Sequence, residues 1–301
     1  MGAAKFLRGL IRCIDPRQLR VIVNTGDDDE FYGLHVSPDL DTVTYTLAEV
    51  VNPQTGWGLA GESFHTLEAL ARFYGKGWFA LGDRDFATHL FRTERLRRGS
   101  RLSQVTAEIA RRFGVRCRIL PMSDDPVRTF VTVRGRGALP FQQYFVRHRF
   151  RGQVERIQWR GIRQARVLPA ALAAVRAANT IIVAPSNPFV SIGPILALAP
   201  MREALARVRK RVVAISPIVG GKAIKGPAAK MMRGLGHESS VLGIARLYQD
   251  CVGTLVIDNA DRRYLEPIRA LGMEALATDT IMSSPERAAE LASVVLRAAK
   301  V

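Results

Sequence analysis

The sequence predicts an α/β fold: a doubly wound, mostly parallel, Rossmann-like sheet that carries a helical insertion and a β-hairpin. Three features lead there. Short apolar runs alternate with helical patterns through the C-terminal half, the rhythm of strands buried on both faces and joined by crossover helices. Each run gives way to a polar loop, which is where such sheets bind ligands. A chain of 301 residues, 48% hydrophobic and 24% charged, can enclose one large core.

In chain order, a helical pattern covers residues 3–14, and a strand at 19–23 runs into Asn24-Thr-Gly-Asp-Asp28. From Ser63 to Phe113 the pattern is helical. Ser63 is placed to cap a helix that stops before Gly75, Asp83 opens a second through Leu96, and Ser103 opens a third that ends at Gly114. Residues 129–133 and 139–146, joined by Arg134-Gly-Arg-Gly137, form the expected hairpin. Strands follow at 180–184, 211–215, 254–258 and 274–278, with helices near 192–206, 239–249, 262–271 and 285–299. No repeat or low-complexity linker interrupts them. The expectation is a single domain over 1–301 with a helical insertion at about 44–114.

No apolar run is long enough to span a bilayer and the N-terminus has no secretory pattern, so a cytoplasmic protein without a membrane partner is expected. Cys13, Cys117 and Cys251 lie far apart, with no C-x-x-C pair, and read as buried, reduced thiols. The net charge of +17 comes mostly from arginines spread over helical faces, such as Arg111, Arg112 and Arg202, with one dense stretch from Arg147 to Arg166. Nucleic acid is not the expected partner, because no helix-turn-helix, zinc or aromatic RNA-binding signature accompanies the charge. Phosphorylated small molecules suit a basic surface equally well.

Aspartates cluster in short polar loops: Asp27 to Asp29, Asp39 with Asp41, Asp83 with Asp85, and Asp124 with Asp125. In a chain with only 27 acidic residues against 44 basic ones, this is more than abundance. Hard carboxylate oxygens suit Mg²⁺ shared with substrate phosphates, while helix capping is the competing account for Asp41 and Asp83. Gly220-Gly-Lys-Ala-Ile-Lys-Gly226 can bring backbone N–H groups and lysines to a phosphate, or can be a plain turn. Pro185-Ser-Asn-Pro188 and Ser191 precede a helix and offer uncharged polar groups. His89 is either a proton carrier or a packed histidine. Hydrolysis through a covalent triad is not expected, since no Ser-His-Asp order or Cys-His pair stands out.

Together these loops resemble the 2-phospho-L-lactate transferase family. The matching stretches are Ala4-Lys-Phe-Leu-Arg-Gly9-Leu, Val23-Asn-Thr-Gly-Asp-Asp28, Ser37-Pro-Asp-Leu-Asp-Thr-Val43, Leu81-Gly-Asp-Arg-Asp85 with Ala87-Thr-His89, Leu120-Pro-Met-Ser-Asp-Asp-Pro-Val127, Pro185-Ser-Asn-Pro188 with Ser191-Ile-Gly-Pro194, Ser216-Pro-Ile-Val-Gly220 with Gly226-Pro-Ala228, and Tyr248-Gln-Asp250. The resemblance implies Mg²⁺-dependent transfer of a phospho-lactyl, phospho-enolpyruvyl or related group. The donor is a GDP-linked hydroxy acid or enolpyruvate, the acceptor is the ribityl hydroxyl of the deazaflavin Fo, GMP leaves, and the product serves coenzyme F-420 biosynthesis. On this resemblance Asp41 and Asp83 contact the acceptor or take its proton, with Asp85 beside them. Arg84 neutralises phosphates or orients the carboxylates. Asp28, Asp39 and Asp124 are the metal candidates. Asn187, Ser191, Ser216, Gly220, Gly226, Gly2 and Lys5 hold the donor. A homodimer is the expected assembly.

One stretch departs from the family pattern, which opens with a strand and Gly-Gly-x-Gly ahead of the lysine-bearing helix. Here the chain reads Met1-Gly2-Ala3-Ala4-Lys5, so the expectation is a first strand absent from the sheet and a start placed inside that loop. The rival function is a nucleotide-sugar-binding regulator of a related family. The blocks at Ser37 to Val43 and Leu81 to Asp85 argue for the transferase instead, because they resemble the acceptor side of its site.

Overall fold

The computed structural model describes residues 2–299. Helix α1 (Gly2–Leu10) buries Phe6, Leu7 and Leu10 along one face. Gly9 lets it approach the chain closely at Ala288, where any side chain would strike backbone. Strand β1 (Arg20–Val23) leads into the hairpin of β2 (Asp29–Phe31) and β3 (Leu34–Val36), which turns at Tyr32 and Gly33, both with positive φ. Helix α2 (Pro38–Leu47) follows, with Pro38 in its first turn, where the missing N–H costs nothing. The insertion then supplies α3 (His65–Tyr74), α4 (Asp83–Arg97) and α5 (Leu102–Arg112).

Strand β4 (Arg118–Pro121) runs parallel to β1. Strands β5 (Arg128–Val133), β6 (Gly137–Pro140) and β7 (Val154–Arg160) form an antiparallel sheet with β5 in the middle. After α6 (Pro169–Ala177) the parallel strands take over: β8 (Ile181–Val183), then α7 (Ile192–Ala197) and α8 (Met201–Arg207), then β9 (Val212–Ile215). A small hairpin of β10 (Ile218–Val219) and β11 (Lys222–Ala223) precedes α9 (Ala228–Gly234) and α10 (Val241–Tyr248), the latter capped by Ser240. Strand β12 (Thr254–Asp258), α11 (Leu265–Arg269), β13 (Glu274–Thr278) and α12 (Pro285–Ala298) complete the fold.

The four C-terminal strands form a parallel sheet in the order β13-β12-β9-β8, as their apolar runs predict. Alternate side chains of β9 enter two different cores. Val212 and Ala214 join one side with Leu255 and Ile257. Val213 and Ile215 join Val256, α1 and α12 on the other. Val21 and Val23 of β1 and Ile119 of β4 belong to that second core, so both parallel sheets cover one face of helices.

Among the described residues β1 pairs only with β4 and β8 only with β9. The parallel strands thus fall into two separate sheets, β1-β4 and β13-β12-β9-β8. Ile181, Ile182 and Val183 of β8 are accordingly only half-buried.

Several details differ from the sequence reading. The helix expected at 192–206 breaks in two ahead of Pro200, and 262–271 begins with the 3-10 turn Asn259–Tyr264 before becoming α. The second hairpin strand stops at Pro140. Beyond it the chain coils through Gln143–Arg147, which puts Phe141 and Phe145 on one side, stacked at 5.4 Å. Strand β7 lay hidden in the basic stretch, because a bulge opposite Thr132 and Val133 breaks its alternation. All three cysteines are free, and Cys117 and Cys251 are buried as expected, but Cys13 is only partly so.

Candidate active site

The loops that leave the carboxyl ends of β1, β8, β9 and β13 face the insertion across a cleft of about 730 Å³. On the sheet side lie Pro185, Asn187, Ser191, Ser216, Gly226 and Thr280. The first turns of α1 add Gly2 and Lys5, whose ammonium donates to the Met282 carbonyl at 3.3 Å. Gly2 lies against the Pro185 carbonyl, too close for a side chain. The insertion side is aromatic, with Tyr45, Trp57, Trp78 and Phe79. Phe79 stacks on Phe31 at 4.0 Å and Trp78 meets the same ring edge-on at 5.4 Å, so both are braced from behind. A second cavity of about 440 Å³ opens beyond, and Trp57, Gly58, Ala80 and Asp85 line both.

The carboxylates in the cleft have distinct environments. Asp41 is buried and gripped by Arg92, whose two terminal nitrogens reach its two oxygens, Nη1 at 3.1 Å from Oδ2. Asp85 is buried with Oδ1 unpartnered among the described residues. Burial first, and the Asp41 charge second, push its carboxyl up to about 7. The hydroxyl of Tyr45 is likewise unpartnered, and burial holds its proton on more firmly than usual. His89, at the cleft wall, is brought down to about 4 by burial before any charge effect.

A second acidic group lies where β1 ends. Asp27 and Asp39 both line the cleft, and burial raises both carboxyls, Asp27 further through the Asp39 charge. Asp39 accepts from the Asn24 amide at 2.9 Å. Asp28 sits just behind. Its Oδ2 accepts from Ser37 Oγ at 2.8 Å and pairs with His35 Nε2 at 2.9 Å, while Oδ1 is buried and free of hydrogen bonds.

The structure therefore brings together Asp41, Asp85, Asp39, Asn187, Ser191, Ser216, Gly226, Gly2 and Lys5 from the expected set. Five others fall outside the cleft lining. Asp83 is a cap: it accepts from Ser63 Oγ at 2.5 Å and from the backbone N–H groups of His65 and Thr66, so it opens α3 rather than facing a substrate. These bonds hold its carboxyl below the usual range. Arg84 turns outward to the Ala60 carbonyl. Asp124 caps the start of α5 through the backbone and hydroxyl of Ser103, and among the described residues no group of three or more His, Cys, Asp or Glu side chains is placed to hold a metal ion, at Asp124 or at Asp27, Asp28 and Asp39. Gly220 and Gly221, with φ of 55° and 74°, form the tight turn between β10 and β11, the plain-turn alternative. Asp28 supports the acidic group from behind.

Sequence reasoning did not single out Tyr45, Arg92 or the aromatic wall. A signal existed for the last, since two of only three tryptophans, Trp57 and Trp78, fall in the insertion. Arg92 was lost among the many arginines.

A doubly wound sheet whose strand-end loops close on a carboxylate-rich cleft defines an α/β enzyme, and comparison with known proteins makes it a transferase. The sequence model of the family described as "2-phospho-L-lactate transferase CofD" matches residues 1–297. A phosphoenolpyruvate transferase of Streptomyces griseus is 41% identical over 305 residues, covering 100% of this chain and 96% of its own length. A 2-phospho-L-lactate transferase of Methanosarcina mazei is 38% identical, covering 99% of this chain and 97% of its own. A UPF0052-family protein of Bacillus halodurans shares the fold, with a TM-score of 0.65 over 98% of this chain and 96% of its own, at 15% identity. The chain belongs to the 2-phospho-L-lactate transferase family.

Among the described residues no helix is long and apolar enough to cross a membrane.

Proposed function

We propose that the protein moves a phospho-lactyl or phospho-enolpyruvyl group from a GDP-linked donor to the ribityl hydroxyl of the deazaflavin Fo, releasing GMP, as a step of coenzyme F-420 biosynthesis. The observation that carries this reading is Asp85, a buried carboxyl with proton affinity near neutrality, between an aromatic wall and a set of strand-end polar groups. The aromatic wall suits a flat ring system. Asn187, Ser191, Ser216, Lys5 and Lys225 suit a nucleoside diphosphate on the opposite side.

In this reading ionised Asp85 accepts the proton of the hydroxyl as its oxygen attacks the donor's phosphorus. The new O–P bond forms as the bond to GMP breaks, and that electron pair leaves with GMP. Asp41, paired with Arg92, places its charge beside Asp85 and so raises that carboxyl's affinity for the proton. Lys5 and Lys225 offset the negative charge that develops on the phosphate of the departing GMP.

The acidic group suits Mg²⁺: Asp27 and Asp28 each bury an oxygen without a partner among the described residues, Asp39 raises the cost of charge on Asp27, and Asp28 raises it on both. Asp27 and Asp39 would hold the ion, with Asp28 as support. When bound it neutralises diphosphate charge.

The test incubates the protein with Fo, Mg²⁺ and each GDP-linked donor, with mass spectrometry of the products. A phosphodiester that joins Fo to the donor's hydroxy acid or enolpyruvate, together with GMP, is expected from at least one donor. Absence of an adduct with every donor would overturn the assignment.

A further inference from the structure

Residues 85, 89 and 92 are spaced i, i+4 and i+7 on α4, so Asp85, His89 and Arg92 share one face of the helix. That face meets Asp41 and Tyr45 of α2, and His35 of β3 lies at its edge with its ring on Asp28. Arg92 is 2% exposed, an extreme burial for an arginine, and is held by several acceptors at once. Its Nη1 donates to Asp41 Oδ2, to the His35 carbonyl at 3.4 Å, and to Nδ1 of His89 at 3.2 Å.

The last contact decides a proton position. A guanidinium only donates, so Nδ1 of His89 accepts, and a neutral ring then carries its hydrogen on Nε2. Nε2 makes no hydrogen bond to the described residues. It is also absent from the fully enclosed atoms that lack one, and His89 lines the cleft, so this N–H opens onto the cleft. Protonating the ring would place a hydrogen on Nδ1 against the Arg92 guanidinium; Asp41 Oδ2, 3.7 Å from Nδ1, favours that proton, while burial, Arg92 and the nearby His35 oppose it.

We propose that Arg92 is a positioning residue that fixes His89 as its neutral Nε2–H tautomer and so makes it a hydrogen-bond donor to the substrate rather than a base. This deepens the reading of the cleft as a transferase site and rests on it for the substrate's identity. His89 donates to the oxygen of the acceptor hydroxyl, which turns that hydroxyl's own hydrogen toward Asp85. One helix face thus sets both hydrogen bonds of the attacking group.

The test reads the tautomer without any substrate. Protein labelled with ¹⁵N-histidine is followed by NMR from pH 8 to pH 5.5, with His89→Gln identifying the signal. A neutral Nε2–H ring throughout is expected. An Nδ1–H ring, or a charged ring at pH 6, would overturn the proposal.

Arg92→Met, measured in the same way, is expected to release the fixed tautomer, so that an Nδ1–H ring signal appears, and an unchanged spectrum would overturn the positioning role of Arg92. If that variant does not fold, the unaltered protein's spectrum decides alone. A kinetic comparison separates a donor from a packing role. Gln carries its amide N–H near the Nε2 position and Asn near Nδ1, so His89→Gln should keep ~10-fold more kcat/KM for Fo than His89→Asn. Equal losses in the two would overturn the donor role. A spectrum with the expected tautomer in a protein that transfers nothing would instead count against the transferase reading.

Discussion

Asp41 lies beside Asp85 in the cleft wall, and its charge adds to burial in pushing that carboxyl up to about 7. The pair is arranged asymmetrically: Arg92 satisfies one member, and nothing among the described residues satisfies Oδ1 of the other. The Asp85 proton is thereby held more firmly than an isolated carboxyl would hold it.

Asp85→Asn should lower kcat by ~10²-fold or more and remove the rising limb of the pH–rate profile near 7, as expected for a base that works only when ionised. The variant also carries a stability signature. Because the folded-state pKa is raised above the unfolded value, the native protein binds this proton more tightly. Its stabilising effect is full at low pH and fades as pH climbs from about 4 to about 7. Thermal melts at pH 8 should therefore find Asp85→Asn more stable than the parent, and a less stable variant would contradict the assignment.

Mg²⁺ titrations of activity should distinguish the acidic residues. Asp39→Asn is expected to raise the half-saturating Mg²⁺ concentration by ~10-fold or more. Asp124→Asn should leave that concentration unchanged, since its oxygens are committed to Ser103.

Asp83→Ala removes the acceptor for Ser63, His65 and Thr66 at the start of α3. A fall in Tm of ~2 °C with a rate within about threefold of the parent is the expected result. A loss of two orders of magnitude in kcat would instead return Asp83 to the chemistry.

Trp78→Ala should raise KM for Fo by ~10-fold with a smaller change in kcat, through loss of stacking area on the acceptor side. Tryptophan fluorescence offers a second readout, because Fo binding beside Trp57 and Trp78 should quench it in the parent.

Gly220→Ala meets open space, so its cost is conformational alone: φ of 55° disfavours a side chain by roughly 1 kcal/mol. Chemical denaturation should detect this, while the KM for donor should stay put.

The C-terminal sheet was legible because its strands are buried on both faces and so appear as unbroken apolar runs, as in Val212–Ile215. Strand β7 was not, because its outward positions are Arg156 and Arg160 and a bulge interrupts its period. In the site, clustered aspartates were visible as a set, but their roles were not. Asp83 and Asp85 are two residues apart on one helix, yet one points to the backbone of α3 and the other into the cleft. Spacing cannot separate them, because the difference lies in which neighbouring element each meets. Arg92 shows the same limit: only folding reveals which arginine among so many is buried against a carboxylate.

The break between β1 and β8 has a mechanical consequence. Elsewhere neighbouring parallel strands are tied by ladders of backbone hydrogen bonds, but across this line the halves are joined by side chains that pack on α1 and α12 and by the Asn24 amide, which donates to Asp39 at 2.9 Å and to the Val190 carbonyl at 3.1 Å. Dispersion contacts yield to small sliding motions more readily than a ladder does. Asp27 and Asp39 stand on one half, and Ser191 and Ser216 on the other. The Asn24 amide is thus a hydrogen-bonded tie across this seam, beside the cleft where the two groups face one another.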